Sequence, residues 1–86
     1  VIIAISSSGD SENIIKAVEV AKKHKVPVIG LSGFDGGRLN KMSDAKILIK
    51  TDKGEYEIVE SVHDVILHTM TKYFHDYFNS LIKNEK

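Results

Sequence analysis

The sequence predicts an α/β protein in which a parallel, doubly wound sheet is packed between helices. Three observations lead to this prediction. Short apolar runs alternate with segments of helical periodicity, the first run is apolar throughout, and loops of small polar residues follow the first two runs. Strands that alternate with helices form parallel sheets, and right-handed crossovers are expected to place helices on both faces.

The first half of the chain contains two predicted strands joined by a helix. Residues 1–5 are apolar and rich in β-branched side chains, which is typical of a strand buried on both faces. A helix is expected over about residues 11–24, where apolar residues recur at helical spacing and Ser11 is a favoured N-cap. The second strand is expected over residues 26–31. Pro27 is tolerated there, because the first residue of a strand can forgo a ladder donor.

The second half contains a short helix, a third strand and one long helix. The short helix is predicted over residues 38–43, with Leu39 and Met42 pointing inward. Residues 45–49 form the third predicted strand, and residues 56–83 follow a helical period that predicts one long helix. Both polar loops therefore lie at the carboxyl ends of strands, which is the edge where parallel sheets bind ligands.

Length and composition limit the classes of protein that this chain can represent. A chain of 86 residues forms one domain at most, and a domain of this size is marginally stable without help. The absence of cysteine excludes disulfides and thiolate metal sites, so packing in an oligomer is the expected source of stability. Because the chain begins at Val1 inside a strand-like run and without methionine, we expect an N-terminal portion to precede it.

Charge and hydropathy argue against two kinds of partner. The 12 basic residues balance 12 acidic ones, whereas a nucleic-acid binder usually has a basic face. No apolar run approaches the roughly 20 residues that span a bilayer, and the apolar start is too short for a secretory signal. We therefore expect a soluble, cytoplasmic protein that binds neither nucleic acid nor a membrane.

The segment Ser6-Ser7-Ser8-Gly9-Asp10-Ser11, called the serine loop below, is a candidate phosphate site. It joins a strand to the N-terminus of a helix, where free N–H groups and the helix dipole favour an anion. Its hydroxyl groups add donors, and its pattern matches neither nucleotide loop, so a phosphate monoester on a small molecule is expected. In the alternative interpretation the serines only fill a turn and cap the helix. Asp10 and Glu12 would repel an anion unless they point away.

Two further segments fit either a structural or a functional role. Asp35-Gly36-Gly37 is explained by turn chemistry, or by close approach of the backbone to a sugar or to a neighbouring subunit. On the long helix, Glu60, Asp64 and His68 recur at every fourth position, and His63 lies beside this row. A carboxylate and an imidazole on one face suit acid–base catalysis or a divalent metal. The alternative is a solvated polar stripe with ion pairs.

The end of the long helix carries an aromatic stripe formed by Tyr73, Phe74, Tyr77 and Phe78. A small domain cannot cover such a stripe alone, so packing in the core or in an oligomer is expected rather than an aromatic ligand site. His24 and His75 lie away from the candidate site and are expected at the surface.

The serine loop and the segments that follow it resemble a known family. Residues 4–17, AISSSGDSENIIKA, are similar to the phosphate loop of SIS (sugar isomerase) domains. Residues 29–39, IGLSGFDGGRL, and residues 42–45, MSDA, resemble the phosphoheptose isomerase branch of that family. The resemblance covers nearly the whole chain and implies that residues 1–86 are the C-terminal portion of a single SIS domain. The implied fold is a three-layer αβα, flavodoxin-like parallel sheet that is incomplete at the N-terminus.

The resemblance also implies roles for individual residues of the serine loop and the long helix. Ser6, Ser8 and Ser11 correspond to serines that hold the phosphate group. Ser7 stands in the same binding loop, at a position often held by threonine. His68 corresponds to a catalytic histidine, and its acid–base partner, a glutamate in the family, belongs to the N-terminal half.

Two acidic residues of the long helix complete the implied site. Glu57 corresponds to an acid that contacts substrate, and Glu60 stands where the family has a glutamine. Some members bind zinc at the positions of Glu60 and His68, with further ligands from the N-terminal half. Glutamate suits a metal better than glutamine does, but it repels a phosphosugar when no cation is present.

Two functions fit these residues. The first is an aldose–ketose isomerase of the sedoheptulose 7-phosphate isomerase type, which the resemblance implies to be a homotetramer. The second is a non-catalytic SIS module that senses a phosphosugar or scaffolds another protein, as the replication-initiator-binding relatives do. His68 favours the enzyme, whereas Glu60 leaves the second function open.

Overall fold

A computed structural model describes residues 1–85, which form three strands and three helices. In chain order these are β1 (Ile2–Ser6), α1 (Glu12–Lys23), β2 (Val28–Gly33), α2 (Gly37–Met42), β3 (Ala45–Ile49) and α3 (Tyr56–Glu85). The three strands are parallel, with β2 in the centre of the order β1-β2-β3. The predicted alternation of strands and helices is confirmed, and β3 has the bounds that the sequence predicts.

The helices cover the sheet from two sides. Gly30 faces α2, since a Cβ atom on Gly30 would lie 3.3 Å from the Cγ of Leu39. Gly33 lies an odd number of residues further along and faces the opposite side, where a Cβ atom would lie 2.5 Å from the Val59 Cγ1 of α3. The fold is therefore three-layered, with α1 and α2 on one face of the sheet and the start of α3 on the other.

The hydrophobic core lies between the sheet and the pair α1 and α2. Its buried members are contributed by four elements and are Ala4, Ile15, Val18, Ala21, Val28 and Leu39. Met42 packs against this cluster from the end of α2, so the prediction that Leu39 and Met42 point inward is confirmed. The two crossovers run in the same direction across the sheet, which brings α1 and α2 together on this face.

The prediction that the first strand is buried on both faces is wrong for the described residues. Ala4 and Ser6 are buried, whereas Ile3 and Ile5 remain 42% and 38% exposed on the opposite face. α1 covers one side of β1, but on the other side α3 packs mainly against β2. The apolar run indicates a strand with two faces that can be buried, but within residues 1–85 only one of these faces is covered.

β2 begins and ends two residues later than the sequence predicts. The N–H of Val26 donates to the Ala21 carbonyl at 2.8 Å, which keeps Val26 with the end of α1. The following Pro27 has no N–H to offer a ladder. At its other end β2 continues to Gly33, which pairs with Ile49 of β3.

α3 is the longest element, and its second half extends away from the sheet. Val59 and His63 are buried near the start of the helix, whereas the aromatic side chains further along are 47–63% exposed. These side chains contact one another along the helix, as in the stacked pair Tyr73 and Tyr77. Within residues 1–85 the stripe is therefore not part of the core. The predicted surface positions of His24 and His75 are confirmed.

Despite its length, α3 is too polar to cross a bilayer, and the other helices of the described chain are too short to do so.

Candidate functional site

The serine loop lies at the carboxyl end of β1 and leads into α1. The hydroxyl groups of Ser6 and Ser11 are 3.0 Å apart and hydrogen-bonded, and the Ser6 hydroxyl also accepts from the N–H of Gly9. The Ser8 hydroxyl accepts from the N–H of Asp10 at 3.1 Å. These bonds give the loop a defined shape in which side chains hold the backbone.

Ser11 occupies the N-cap position of α1, but its side chain does not cap the helix. Its hydroxyl is bonded to Ser6 instead, and its carbonyl accepts the first bond of the helix from the N–H of Ile15. The N–H groups that precede Ile15 have no acceptor within the helix. The predicted N-cap position of Ser11 is therefore confirmed, but its side chain makes no capping bond, and these donors remain available to an anion.

An open cleft of about 370 Å³ lies between the serine loop and α3. One side is formed by Ile5 and by the loop residues Ser6, Ser7, Ser8 and Ser11. The other side is formed by α3, through Tyr56, Glu60, His63, Asp64 and Leu67. The cleft thus joins the hydroxyl-rich loop to the polar stripe of the long helix, two features that are about fifty residues apart in sequence.

The structure brings the candidate residues of the loop together with Glu60, but not with every candidate on α3. Glu57 and His68 are exposed, and neither lines the cleft. His68 lies eight residues beyond Glu60, which rotates it by about 80° around the helix axis. Leu67 lines the cleft, but adjacent residues of a helix project about 100° apart, so the position of Leu67 does not bring His68 into the cleft. The roles of these side chains remain predictions.

Arg38, a residue that the sequence analysis does not single out, binds both acids of the loop region. Its guanidinium donates to Asp10 Oδ1 at 3.1 Å and to Glu12 Oε1 at 2.7 Å, and its backbone N–H donates to Asp10 at 3.0 Å. The backbone N–H and then the side chain of Arg38 lower the pKa of Asp10. The bonds to Glu12 and Asp10 raise the pKa of Arg38.

This arrangement removes the objection that Asp10 and Glu12 pose to an anion. Both acids are directed toward the start of α2, and neither lines the cleft. Arg38 follows the second polar loop directly, and the two loops share one edge of the sheet. The contact of Arg38 with the serine loop could have been predicted from this shared edge, because residues at neighbouring carboxyl ends come close together.

The Asp35-Gly36-Gly37 segment supports the serine loop from behind. The Gly9 carbonyl accepts a hydrogen bond of 2.8 Å from the N–H of Leu39, so the two loops are joined through the backbone. Gly9 has a φ of +72°, and a Cβ atom there would collide with the carbonyl of Gly36. Asp35 accepts from the N–H of Gly37, which is the expected turn chemistry. The glycines thus allow the backbone of the serine loop to pack directly against the backbone of the Asp35-Gly36-Gly37 segment.

His63 forms part of the cleft although it was only a secondary candidate. The side chain is 2% exposed, and its Nε2 lies 3.0 Å from the carbonyl oxygen of Ser32. A carbonyl can only accept, so Nε2 carries the proton. The other ring nitrogen, Nδ1, is buried and has no hydrogen-bond partner in the part of the chain that the structure describes.

The described side chains do not assemble a zinc site by themselves. Within residues 1–85 there is no group of three His, Asp or Glu side chains placed to hold one ion. Zinc sites in proteins use three or four protein ligands. Glu60 and His68 are two residues, and only Glu60 lines the cleft. Zinc binding would therefore need ligands from outside these residues.

The fold and the loop site define the class of protein. The family model of the SIS domain matches residues 1–73, and the chain belongs to the SIS domain family. Among solved structures, a phosphoheptose isomerase from Neisseria gonorrhoeae has a TM-score of 0.68 at 33% identity, over 79% of this chain and 38% of that one. One from Francisella tularensis has a TM-score of 0.70 at 36% identity, over 78% and 36%.

Curated relatives carry the same name. A phosphoheptose isomerase from Colwellia psychrerythraea is 37% identical over 71 residues, covering 81% of this chain and 36% of the relative. One from Fusobacterium nucleatum is 44% identical over 66 residues, covering 77% of this chain and 33% of the relative. The chain thus spans little more than a third of the length of these relatives.

Proposed function

We propose that this chain supplies the phosphosugar-binding loop and part of the active site of an aldose–ketose isomerase that acts on sedoheptulose 7-phosphate. Membership of the SIS family and the names of the relatives support this proposal. The observation that carries it is the cleft in which Ser6, Ser7, Ser8 and Ser11 face Glu60. Four hydroxyl groups lie on one side of the cleft, while the nearby acids are bound to Arg38 on the other side of the loop.

In this proposal the phosphate group lies on the serine loop at the N-terminus of α1. Backbone N–H groups of the first helical turn and the loop hydroxyls donate to its oxygens. The Ser6–Ser11 hydrogen bond holds two of these hydroxyls in place before a ligand arrives. The sugar chain then extends along the cleft toward α3, where Glu60 is the proposed contact. Glu57 lies outside the cleft of the described residues and is proposed as a contact on the resemblance to the family alone.

Isomerisation moves a proton between adjacent carbons through an enediol, which requires an acid–base pair on opposite sides of the sugar chain. We assign one member of the pair to His68 because of the resemblance to the family; its side chain does not line the cleft of the described residues. The second member comes from outside this chain. Zinc is proposed only as an ion held by Glu60 and His68 together with external ligands.

The activity is tested with the natural protein that contains this segment. It is expected to convert sedoheptulose 7-phosphate to a heptose phosphate, and His68→Ala is expected to abolish turnover while leaving ligand binding in place. His75→Ala, which removes another exposed imidazole of α3, is the matched control. Unchanged turnover in His68→Ala would remove this residue from the mechanism.

The phosphate site is tested by calorimetry with the same sugar phosphate. Ser8→Ala is expected to weaken binding by about 1–3 kcal/mol, because one charge-assisted hydrogen bond is lost. Ser80→Ala, on the exposed end of α3, is the control. If Ser6→Ala, Ser8→Ala and Ser11→Ala all bind as tightly as the wild type, the phosphate does not lie on this loop.

The position of Glu60 favours a second candidate function, that of a non-catalytic module that senses a phosphosugar or scaffolds another protein. Glu60 lines the cleft and adds negative charge opposite the phosphate loop, which disfavours a phosphosugar in the absence of a cation. The two functions differ in one observable result. The module binds the sugar phosphate without turnover, and Glu60→Gln then tightens binding without creating activity.

We further propose that the natural protein is cytoplasmic and assembles as a homotetramer through the aromatic stripe of α3. The stripe supports an interface because its four rings are about half exposed in this chain. Light scattering that finds a stable monomer of the natural protein would contradict the assembly.

A further inference from the structure

We propose, on the basis of the function proposed above, that Nδ1 of His63 accepts a hydrogen bond from a hydroxyl group of the phosphorylated sugar in the cleft. His63 would then be a ligand-contacting residue that recognises the sugar rather than its phosphate. Two observations carry this inference. The ring is a wall of the cleft, and its Nδ1 is a buried acceptor that no described group satisfies.

The tautomer of His63 follows from its surroundings. The Ser32 carbonyl 3.0 Å away can only accept, so the proton lies on Nε2. In the neutral ring the other nitrogen, Nδ1, is then an acceptor that requires a donor. The carboxylates that line the cleft, those of Glu60 and Asp64, are acceptors when ionised and cannot supply one.

A buried acceptor without a donor is unusual, because polar groups removed from water are normally hydrogen-bonded. A sugar phosphate brings several hydroxyl donors into the cleft when it binds. Nδ1 has almost no accessible surface in the described chain, so a hydroxyl satisfies it once the side chains that cover it shift slightly. Inorganic phosphate alone does not reach this acceptor in the same way, because its oxygens are held by the serine loop.

The hydrogen bond from His63 to the Ser32 carbonyl, called the anchor below, places the His63 ring close to the phosphate site. Ser32 is the register partner of Ser6, the residue with which the serine loop begins. The hydrogen bond to Ser32 therefore ties α3 to the strand beside the phosphate loop. A hydroxyl near the phosphorylated end of the sugar is consequently the group that His63 contacts.

Two substitutions separate the anchor from the acceptor. The amide nitrogen of a glutamine side chain reaches the position of Nε2, so His63→Gln keeps a donor to the Ser32 carbonyl and loses the acceptor at Nδ1. The shorter His63→Asn places an amide oxygen near Nδ1 and loses the anchor. Thermal unfolding of both variants shows which of them remain folded.

Binding is measured in the natural protein with two probes, sedoheptulose 7-phosphate and inorganic phosphate. His63→Gln is expected to weaken binding of the sugar phosphate about tenfold, the effect of one lost hydrogen bond, and to leave inorganic phosphate unchanged. Equal affinity of His63→Gln and wild type for the sugar phosphate overturns the inference. If inorganic phosphate fails to bind the wild type, the phosphate site itself is wrong, which is a different result.

A measurement on the wild type keeps the test valid if the variants do not fold. The nitrogen resonances of His63 are expected to show an unprotonated Nδ1 in the free protein. Saturation with sedoheptulose 7-phosphate is expected to shift the Nδ1 resonance toward that of a hydrogen-bonded acceptor, whereas a purely structural ring would not respond. A protonated Nδ1, or no shift at saturation, contradicts the inference.

Discussion

The backbone N–H and the Nε–H of Arg38 both donate to Oδ1 of Asp10, at 3.0 and 3.1 Å. The two residues are 28 positions apart, and they meet because the loops after β1 and β2 share one edge of the sheet. Through this contact a residue of α2 controls the charge of the serine loop. We therefore expect binding, stability and acid sensitivity of the loop to depend on Arg38.

Arg38→Gln is expected to weaken binding of sedoheptulose 7-phosphate several-fold. Without the guanidinium, the carboxylates of Asp10 and Glu12 are no longer neutralised or held toward α2, and they repel the phosphate. The loss is expected to be larger at low ionic strength, where charges act over a longer distance. Lys46→Gln removes one positive charge from exposed β3 and is the matched control. Equal losses in the two variants would mean that only net charge matters.

Asp10 is expected to contribute stability that disappears in acid. The hydrogen bonds from Arg38 hold the pKa of Asp10 below its usual value of 3.8. A carboxyl group whose pKa is lower in the folded state stabilises the fold above its usual value, and this contribution is lost as the pH falls through the lower folded value.

The advantage of wild type over Asp10→Asn in urea unfolding should therefore be constant near neutral pH and shrink below about pH 4. Glu19→Gln, on the exposed side of α1, is the control and should show no such advantage at neutral pH. An advantage over Asp10→Asn that persists at about pH 2 would contradict the assigned direction of the pKa.

Gly9→Ala is expected to lower the free energy of unfolding by about 2–4 kcal/mol, since it adds both backbone strain and a steric clash. Gly9 has a φ of +72°, and its Cβ would collide with the backbone of Gly36. Gly54→Ala separates the two effects, because Gly54 also has a positive φ but faces open space. Gly54→Ala is expected to lower the free energy of unfolding by only about 1–2 kcal/mol. Similar losses in chemical denaturation would show that packing between the loops contributes little.

Ser32→Ala is expected to leave stability unchanged or to raise it slightly. The Ser32 hydroxyl is buried without a hydrogen-bond partner among the described residues, so the substitution removes an unsatisfied polar group. The backbone carbonyl that accepts from His63 remains. Ser43→Ala provides the contrast, because that buried hydroxyl donates to the Leu39 carbonyl at 2.7 Å.

Loss of the Ser43 hydrogen bond in Ser43→Ala is expected to lower the free energy of unfolding by about 0.5–1.5 kcal/mol, measured by thermal or urea unfolding. A larger loss for Ser32→Ala than for Ser43→Ala would indicate that the Ser32 hydroxyl has a partner, such as a buried water.

The order and type of every element were predictable because hydrophobic periodicity is a local property. The long helix and β3 were found where the sequence places them. β2 was displaced by two residues because Val26 is hydrogen-bonded to the end of α1 and Pro27 has no N–H for the ladder. The burial of β1 was not predictable from its apolar run. The composition of a strand indicates that its faces are suited to burial, but it does not specify which elements cover them.

The sequence by itself determined the serine loop, its place at a carboxyl end and its suitability for an anion, since these follow from a strand, a turn and a helix N-terminus that are adjacent in the chain. Only the tertiary structure decided that Arg38 neutralises Asp10 and that His63 joins the cleft through Ser32. These pairs are separated by 28 and 31 residues. Such contacts depend on strand order and register, which bring together side chains that no local pattern relates.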